Sequence, residues 1–177
     1  MVPDIDPKID YVFKWMFGKE THTTLLLSLV NAVLQPPPGQ QIISLTILNP
    51  FNDKESLDDK LSILDILARD EHGRQYNIEM QMRTLLPRLV YYLARVHADQ
   101  LGTSDDYSLL RKTITICFLN TIVFPLVPDF HMNFELRSDR HPELTFADHL
   151  SIHLVELPKF RKSETELVDP LDLWCYI

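Results

Sequence analysis

Leu61–Met82, LSILDILARDEHGRQYNIEMQM, decides how the rest of the chain is read. Two alternating apolar runs flank a short polar turn, the pattern of a β-hairpin. An acidic residue sits inside each run, Asp65 in the first and Glu79 in the second. Burying a carboxylate is costly unless something positive satisfies it. With the turn centred near His72, Asp65 faces Glu79; Ile63 and Leu67 share the face of the first, Asn77 and Gln81 that of the second. Directly opposed strand residues hold their Cβ atoms about 4.5–5.5 Å apart. Two carboxylates at that spacing raise one another's pKa unless a cation lies between them. Hard oxygen ligands of this kind suit Mg²⁺ or Mn²⁺. Ile78, Met80 and Met82 take the alternate positions, so the other face is apolar. Spacing alone leaves two readings open: a metal-binding pair, or two solvated acids on an edge hairpin.

Working outward, Asp10–Phe17 is aromatic and amphipathic and meets Gly18, which predicts a short Gly-capped helix. Lys19–His22 opens a second helix. Leu25, Leu26, Leu29, Val30, Val33 and Leu34 continue it at helical spacing until Pro36–Gly39 ends it. Gln41–Leu48 reads as a strand and Asn49–Lys60 as a polar loop. After the hairpin, Arg88–Leu101 reads as a helix ending at Gly102, with one turn allowed in Asp105–Leu110. Thr113–Phe124 is a continuous β-rich apolar run, expected where helices cover both faces of a sheet. Phe130–Arg137 and Ser151–Glu156 predict further strands, and Leu167–Ile177 the start of a helix. The order predicts an α/β fold around a mixed sheet.

A length of 177 residues matches one domain with a real core. The net charge of −8 argues against a surface that coats nucleic acid as a whole, while leaving room for a local basic groove. Two cysteines, Cys117 and Cys175, make neither a disulfide framework nor a zinc set. The first residues are polar and acidic, unlike a signal peptide, and no apolar run is long enough for a membrane span. The expectation is a cytoplasmic protein without membrane contact. The chain stops on an amphipathic segment, WCYI, which predicts that its C-terminal part is truncated.

Asp65, a hairpin turn and Glu79-x-Gln81 together resemble the PD-(D/E)xK nuclease core, with Gln in the place of the usual Lys. DPKIDYVFKWMFG, LVNAVL, IEMQ, RLVYYLARVHADQL and VELPKF resemble, in that order, the Rpn-like recombination-promoting nucleases and transposases. The resemblance covers about Asp6 to Phe160. It implies a restriction-endonuclease-like core, Mg²⁺ or Mn²⁺ as cofactor, DNA as partner, and a homodimer by analogy. Asp65 and Glu79 correspond to the metal-binding carboxylates. Gln81 takes the place of the lysine that activates or orients the attacking water; an amide can orient but cannot act as a base. Glu20 is the candidate for a further acid from the first helical segment, with a solvated helix-start residue as the alternative.

Lys14 is placed either at the scissile phosphate or in solvent. Arg88, Tyr92 and Arg95 share a helix face, a mix that suits phosphate contact and stacking; core tyrosines with a solvated arginine rim are the alternative. The expected activity is metal-dependent DNA cleavage linked to recombination or transposition. A binding domain on the same fold that no longer cleaves is the competing expectation, favoured by the net charge and by Gln81.

Overall fold

The computed structural model describes residues 8–49, 66–81 and 86–176. A six-stranded mixed sheet in the order β1-β2-β3-β4-β6-β5 forms the centre, and four α-helices flank it. The fold is α/β, consistent with the restriction-endonuclease-like architecture.

α1 (Asp10–Phe17) turns Phe13 and Phe17 inward, one helical turn apart, with their rings 4.9 Å apart. Gly18 closes it by donating its N–H to the Lys14 carbonyl at 2.7 Å. A short 3₁₀ turn, Glu20–His22, leads into α2 (Thr23–Leu34), which buries Leu26, Leu29, Val30, Ala32 and Val33. α2 stops where Gln35 enters the left-handed region at φ 47, just before the proline run. Asn31 then ties the returning chain to the helix, its amide accepting from the Ile42 N–H and donating to the Ile42 carbonyl, both at 2.9 Å. With Ile42 engaged in this way, the strand expected over Gln41–Leu48 shortens to β1 (Leu45–Ile47).

β2 (Ile66–Asp70) and β3 (Gln75–Gln81) form the expected antiparallel hairpin. Ile66 pairs with Ile78, Leu67 with Asn77, Ala68 with Tyr76 and Arg69 with Gln75, the register of a turn centred on His72. Gly73 takes φ 81 in that turn, a conformation a Cβ disfavours. α3 (Leu86–Ala98) crosses from β3 to the parallel β4 (Thr113–Leu119). It starts earlier than expected because Pro87 fits the first helical turn, where its missing N–H has no intrahelical partner to lose. It ends short of Gly102, and Gln100 caps the region beyond by bonding the Arg111 backbone and the Thr113 hydroxyl. All seven residues of β4 are buried, as a strand covered on both faces requires. β4 stops at Leu119, because Val123 and Phe124 give their N–H groups to Glu156 rather than to a neighbouring strand.

β5 (His131–Glu135) pairs antiparallel with β6 (Leu150–Glu156), which is parallel to β4. α4 (Pro170–Tyr176) closes the described chain. Side-chain alternation divides the core in two. Tyr76, Ile78 and Met80 of β3 meet Phe13, Phe17, α2 and Leu171 of α4 on one face. Leu89 of α3 packs on Cys117, Leu119 and Leu154 on the other. Glu79 belongs to that second face, being paired with Cys117.

Candidate active site

β3 carries Asn77, Glu79 and Gln81 on the α3 side, and α3 begins five residues after Gln81. Glu79 is fully buried. Its two carboxylate oxygens accept one amide each: Asn77 Nδ2 donates to Oε1 and Gln81 Nε2 to Oε2, both at 2.8 Å. Two neighbours on the same strand face thus clamp the group between them. Burial pushes the Glu79 carboxyl above its usual range, while the Asn77 amide, the Arg88 guanidinium, the Gln81 amide and the Lys14 ammonium pull it back.

The other buried acids of the described chain are held differently. Asp70 accepts from Arg74 Nε at 2.5 Å and from the Tyr76 hydroxyl at 2.7 Å, and from the backbone of His72 and Arg74. Glu156 meets Lys159 Nζ at 2.7 Å. Asp172 receives Lys162 Nζ at 2.6 and 2.7 Å. Among the described residues, Glu79 is the buried carboxylate without an ion pair; its direct partners are neutral amides.

Arg88 stands in the first turn of α3 with its guanidinium 5.3 Å from the centre of the Tyr92 ring, a cation–π contact. Its Nε is buried and has no hydrogen-bond partner among the described residues. Arg88 and Tyr92 therefore share a face, as their spacing predicts. Arg95 lies further along, about half exposed, with Nε 3.5 Å from Asp99 Oδ2. Lys14 reaches Asp10 at 3.4 Å from its largely buried position on α1. Glu20 is exposed at the start of the 3₁₀ turn between α1 and α2. Asp65 lies outside the described residues. So the structure gathers Glu79, Gln81, Arg88 and Tyr92 at the β3–α3 junction, brings Lys14 into the electrostatic reach of Glu79, and leaves Arg95 and Glu20 on the surface.

Sequence reading gave Asn77 no role. Its signal was present, since Asn77-x-Glu79-x-Gln81 puts an amide on either side of the acid on one strand face. Its Oδ1 and the Thr115 hydroxyl, at paired positions on β3 and β4, are buried and have no hydrogen-bond partner among the described residues. No group of three or more His, Cys, Asp or Glu side chains among the described residues is arranged to hold a metal ion.

A mixed sheet with helices on both faces defines an α/β domain, and its buried acid near a strand end beside Arg88 marks the candidate site. The chain belongs to the PD-(D/E)XK nuclease family transposases, whose family model matches residues 7–177. Membership gives it a nuclease-related role. No curated protein and no solved structure matches the chain. No described helix is long and apolar enough to cross a membrane.

Proposed function

We propose that the chain is a single-domain, metal-dependent DNA endonuclease acting in recombination or transposition, with Asp65, Glu79 and Gln81 as its catalytic set. The observation that carries this reading is the chemistry around Glu79: a fully buried carboxylate clamped by neutral amides and, among the described residues, lacking the ion pair that its buried counterparts have. Such a group fits a hard cation. Glu79 would hold Mg²⁺ or Mn²⁺ together with Asp65, with Glu20 as a further candidate ligand. The register of the four described β2–β3 pairs supports Asp65 as the partner, because Asp65 immediately precedes Ile66, which pairs with Ile78. When bound, the cation lowers the pKa of a water and polarises the phosphoryl oxygen.

The protein's own groups do the rest. Asn77 and Gln81 fix both oxygens of Glu79, so the carboxylate does not reorganise when the substrate arrives. The second amide hydrogen and the carbonyl of Gln81 orient the attacking water. Arg88 offers its guanidinium to a phosphate oxygen, and Lys14 approaches from α1. Tyr92 positions Arg88, and Arg95 contacts the DNA backbone further along α3. Two copies of the chain supply the two cuts of a duplex, and the protein acts in the cytoplasm.

Gln81 favours a second reading, a DNA- or protein-binding domain without cleavage, because an amide carries no charge and no usable base. Plasmid nicking separates the two. The wild type is expected to nick in Mg²⁺ or Mn²⁺, and Glu79→Ala and Asp65→Ala to lose nicking while keeping the circular-dichroism spectrum of the wild type. A wild type that binds DNA without nicking in either ion supports the second reading instead.

A further inference from the structure

β5 is an outer strand of the described sheet, and no described strand pairs with its other edge. Exposed edges invite pairing, and proteins usually blunt them with Lys, Pro or a very short strand. β1, at the opposite edge, has three residues. β5 has five, His131-Met132-Asn133-Phe134-Glu135, with neither Lys nor Pro.

The hydrogen-bonding side of each residue follows from the ladder. Glu156 donates to the Phe130 carbonyl and Phe146 to the Leu136 carbonyl, so Phe130 and Leu136 turn their carbonyls inward. By strand alternation Met132 and Phe134 do the same, and His131, Asn133 and Glu135 offer their N–H and C=O groups to the free edge. Phe134 and Leu136 remain 41% and 48% exposed, and Phe134 is backed by the Phe124 ring at 5.7 Å. Among the described residues, this edge therefore joins unpaired main chain to apolar side chains.

The sequence of the edge is self-complementary in one register. Place a two-fold axis at Asn133 and pair the strand antiparallel with a second copy. Outward-facing residues then meet outward-facing ones, His131 lies opposite Glu135, and Met132 lies opposite Phe134. Beyond the strand, Asp129 meets Arg137. Moving the axis to Met132 sets Asp129 against Glu135, and moving it to Phe134 takes Asp129 away from Arg137. Like charges directly opposed destabilise a pair, and opposite charges or apolar contacts contribute about 0.2–1 kcal/mol each. Charge and hydrogen-bond parity thus select the Asn133-centred register.

We infer that β5 pairs with β5 of a second copy about a two-fold axis at Asn133, joining two six-stranded sheets into one continuous sheet. This deepens the homodimer part of the function proposed above and does not depend on cleavage. Its test uses the full chain without DNA or metal, so its failure leaves the nuclease reading standing.

The wild type is expected to sediment at twice the chain mass. Asn133→Pro removes an outward N–H while sparing the β5–β6 ladder, and is expected to halve that mass. Should that variant fail to fold by circular dichroism, Phe134→Lys takes its place. In the second measurement, Asn133→Cys in a Cys175→Ser background is expected to form a covalent dimer on mild oxidation. Hydrogen-bonded antiparallel partners lie about 5.5 Å apart at Cα, within the range of about 4.4–6.8 Å that a disulfide spans. A monomeric wild type, a dimer that survives the edge substitution, or an Asn133→Cys variant that does not cross-link overturns the inference.

Discussion

The β2–β3 hairpin buries a carboxylate at each end, and the two are treated in opposite ways. At the turn, Asp70 is saturated: a guanidinium, a phenol and two backbone N–H groups converge on it. At the open end, Glu79 is equally buried but receives two neutral amides. The Asp70 network closes on itself and locks the turn, and its cost of desolvation is offset inside the protein. The Glu79 clamp fixes geometry without supplying positive charge. Burial alone does not mark a functional acid; the kind of partner does.

Disturbing the turn should produce the largest effect on folding. Asp70→Asn leaves the Arg74 guanidinium without its counter-charge. Breaking a buried ion pair on one side costs about 3–5 kcal/mol, and Arg74, whose side chain is 31% exposed, puts this site at the lower end. Urea unfolding checks it, and a loss below about 1 kcal/mol would mean that Asp70 is no more structural than Glu79.

Tyr76→Phe sharpens the same point with a smaller change. The Tyr76 hydroxyl is buried against Asp70, and burial and that carboxylate hold its pKa far above the ordinary phenol value. Removing the hydroxyl should cost about 1–1.5 kcal/mol, the range of one hydrogen bond and somewhat more for a charged acceptor. DNA nicking should remain at the wild-type level, because the turn end is distant from Gln81 along the strand.

Much of this contrast was legible in the sequence. Alternation about His72 set the hairpin register, and Ile66–Ile78 through Arg69–Gln75 obey it. Ile78 and Met80 revealed the apolar face. Asp70 was not singled out, because it sits in a polar turn where an acid is ordinary; only the folded chain shows Arg74 and Tyr76 turning back onto it. The Glu156 site was similarly hidden. VELPKF contributed to the family resemblance, but the loop that Glu156 anchors through Val123 and Phe124 is more than thirty residues away in sequence. Long-range partners of that kind leave no local pattern. Asn77 is the opposite case, a residue whose position was readable and whose use was not, because amides carry no periodic signature of their own. The helix face of Arg88 and Tyr92 followed from spacing, and Arg95 and Asp99 stand at the same four-residue interval.

The smallest effect on stability, and the most telling, belongs to Glu79. Its folded pKa is raised, so the folded protein binds this proton more tightly than the unfolded chain does. Its contribution to stability is therefore present at low pH and is lost as pH rises from the ordinary glutamate value, about 4.3, through the folded one. Glu79→Gln should remove that slope and leave the metal-free protein as stable as the wild type, or slightly more so, at neutral pH.

The decisive measurement is the melting temperature of wild type and Glu79→Gln at neutral pH, with and without saturating Mg²⁺ or Mn²⁺. A ligand that binds the folded state alone stabilises it by about 2.7 kcal/mol at a hundred times its Kd. The cation should raise the wild-type midpoint by several degrees and leave that of Glu79→Gln unchanged. Equal shifts in both proteins, or no shift in the wild type, would contradict the claim that Glu79 is held ready for a cation.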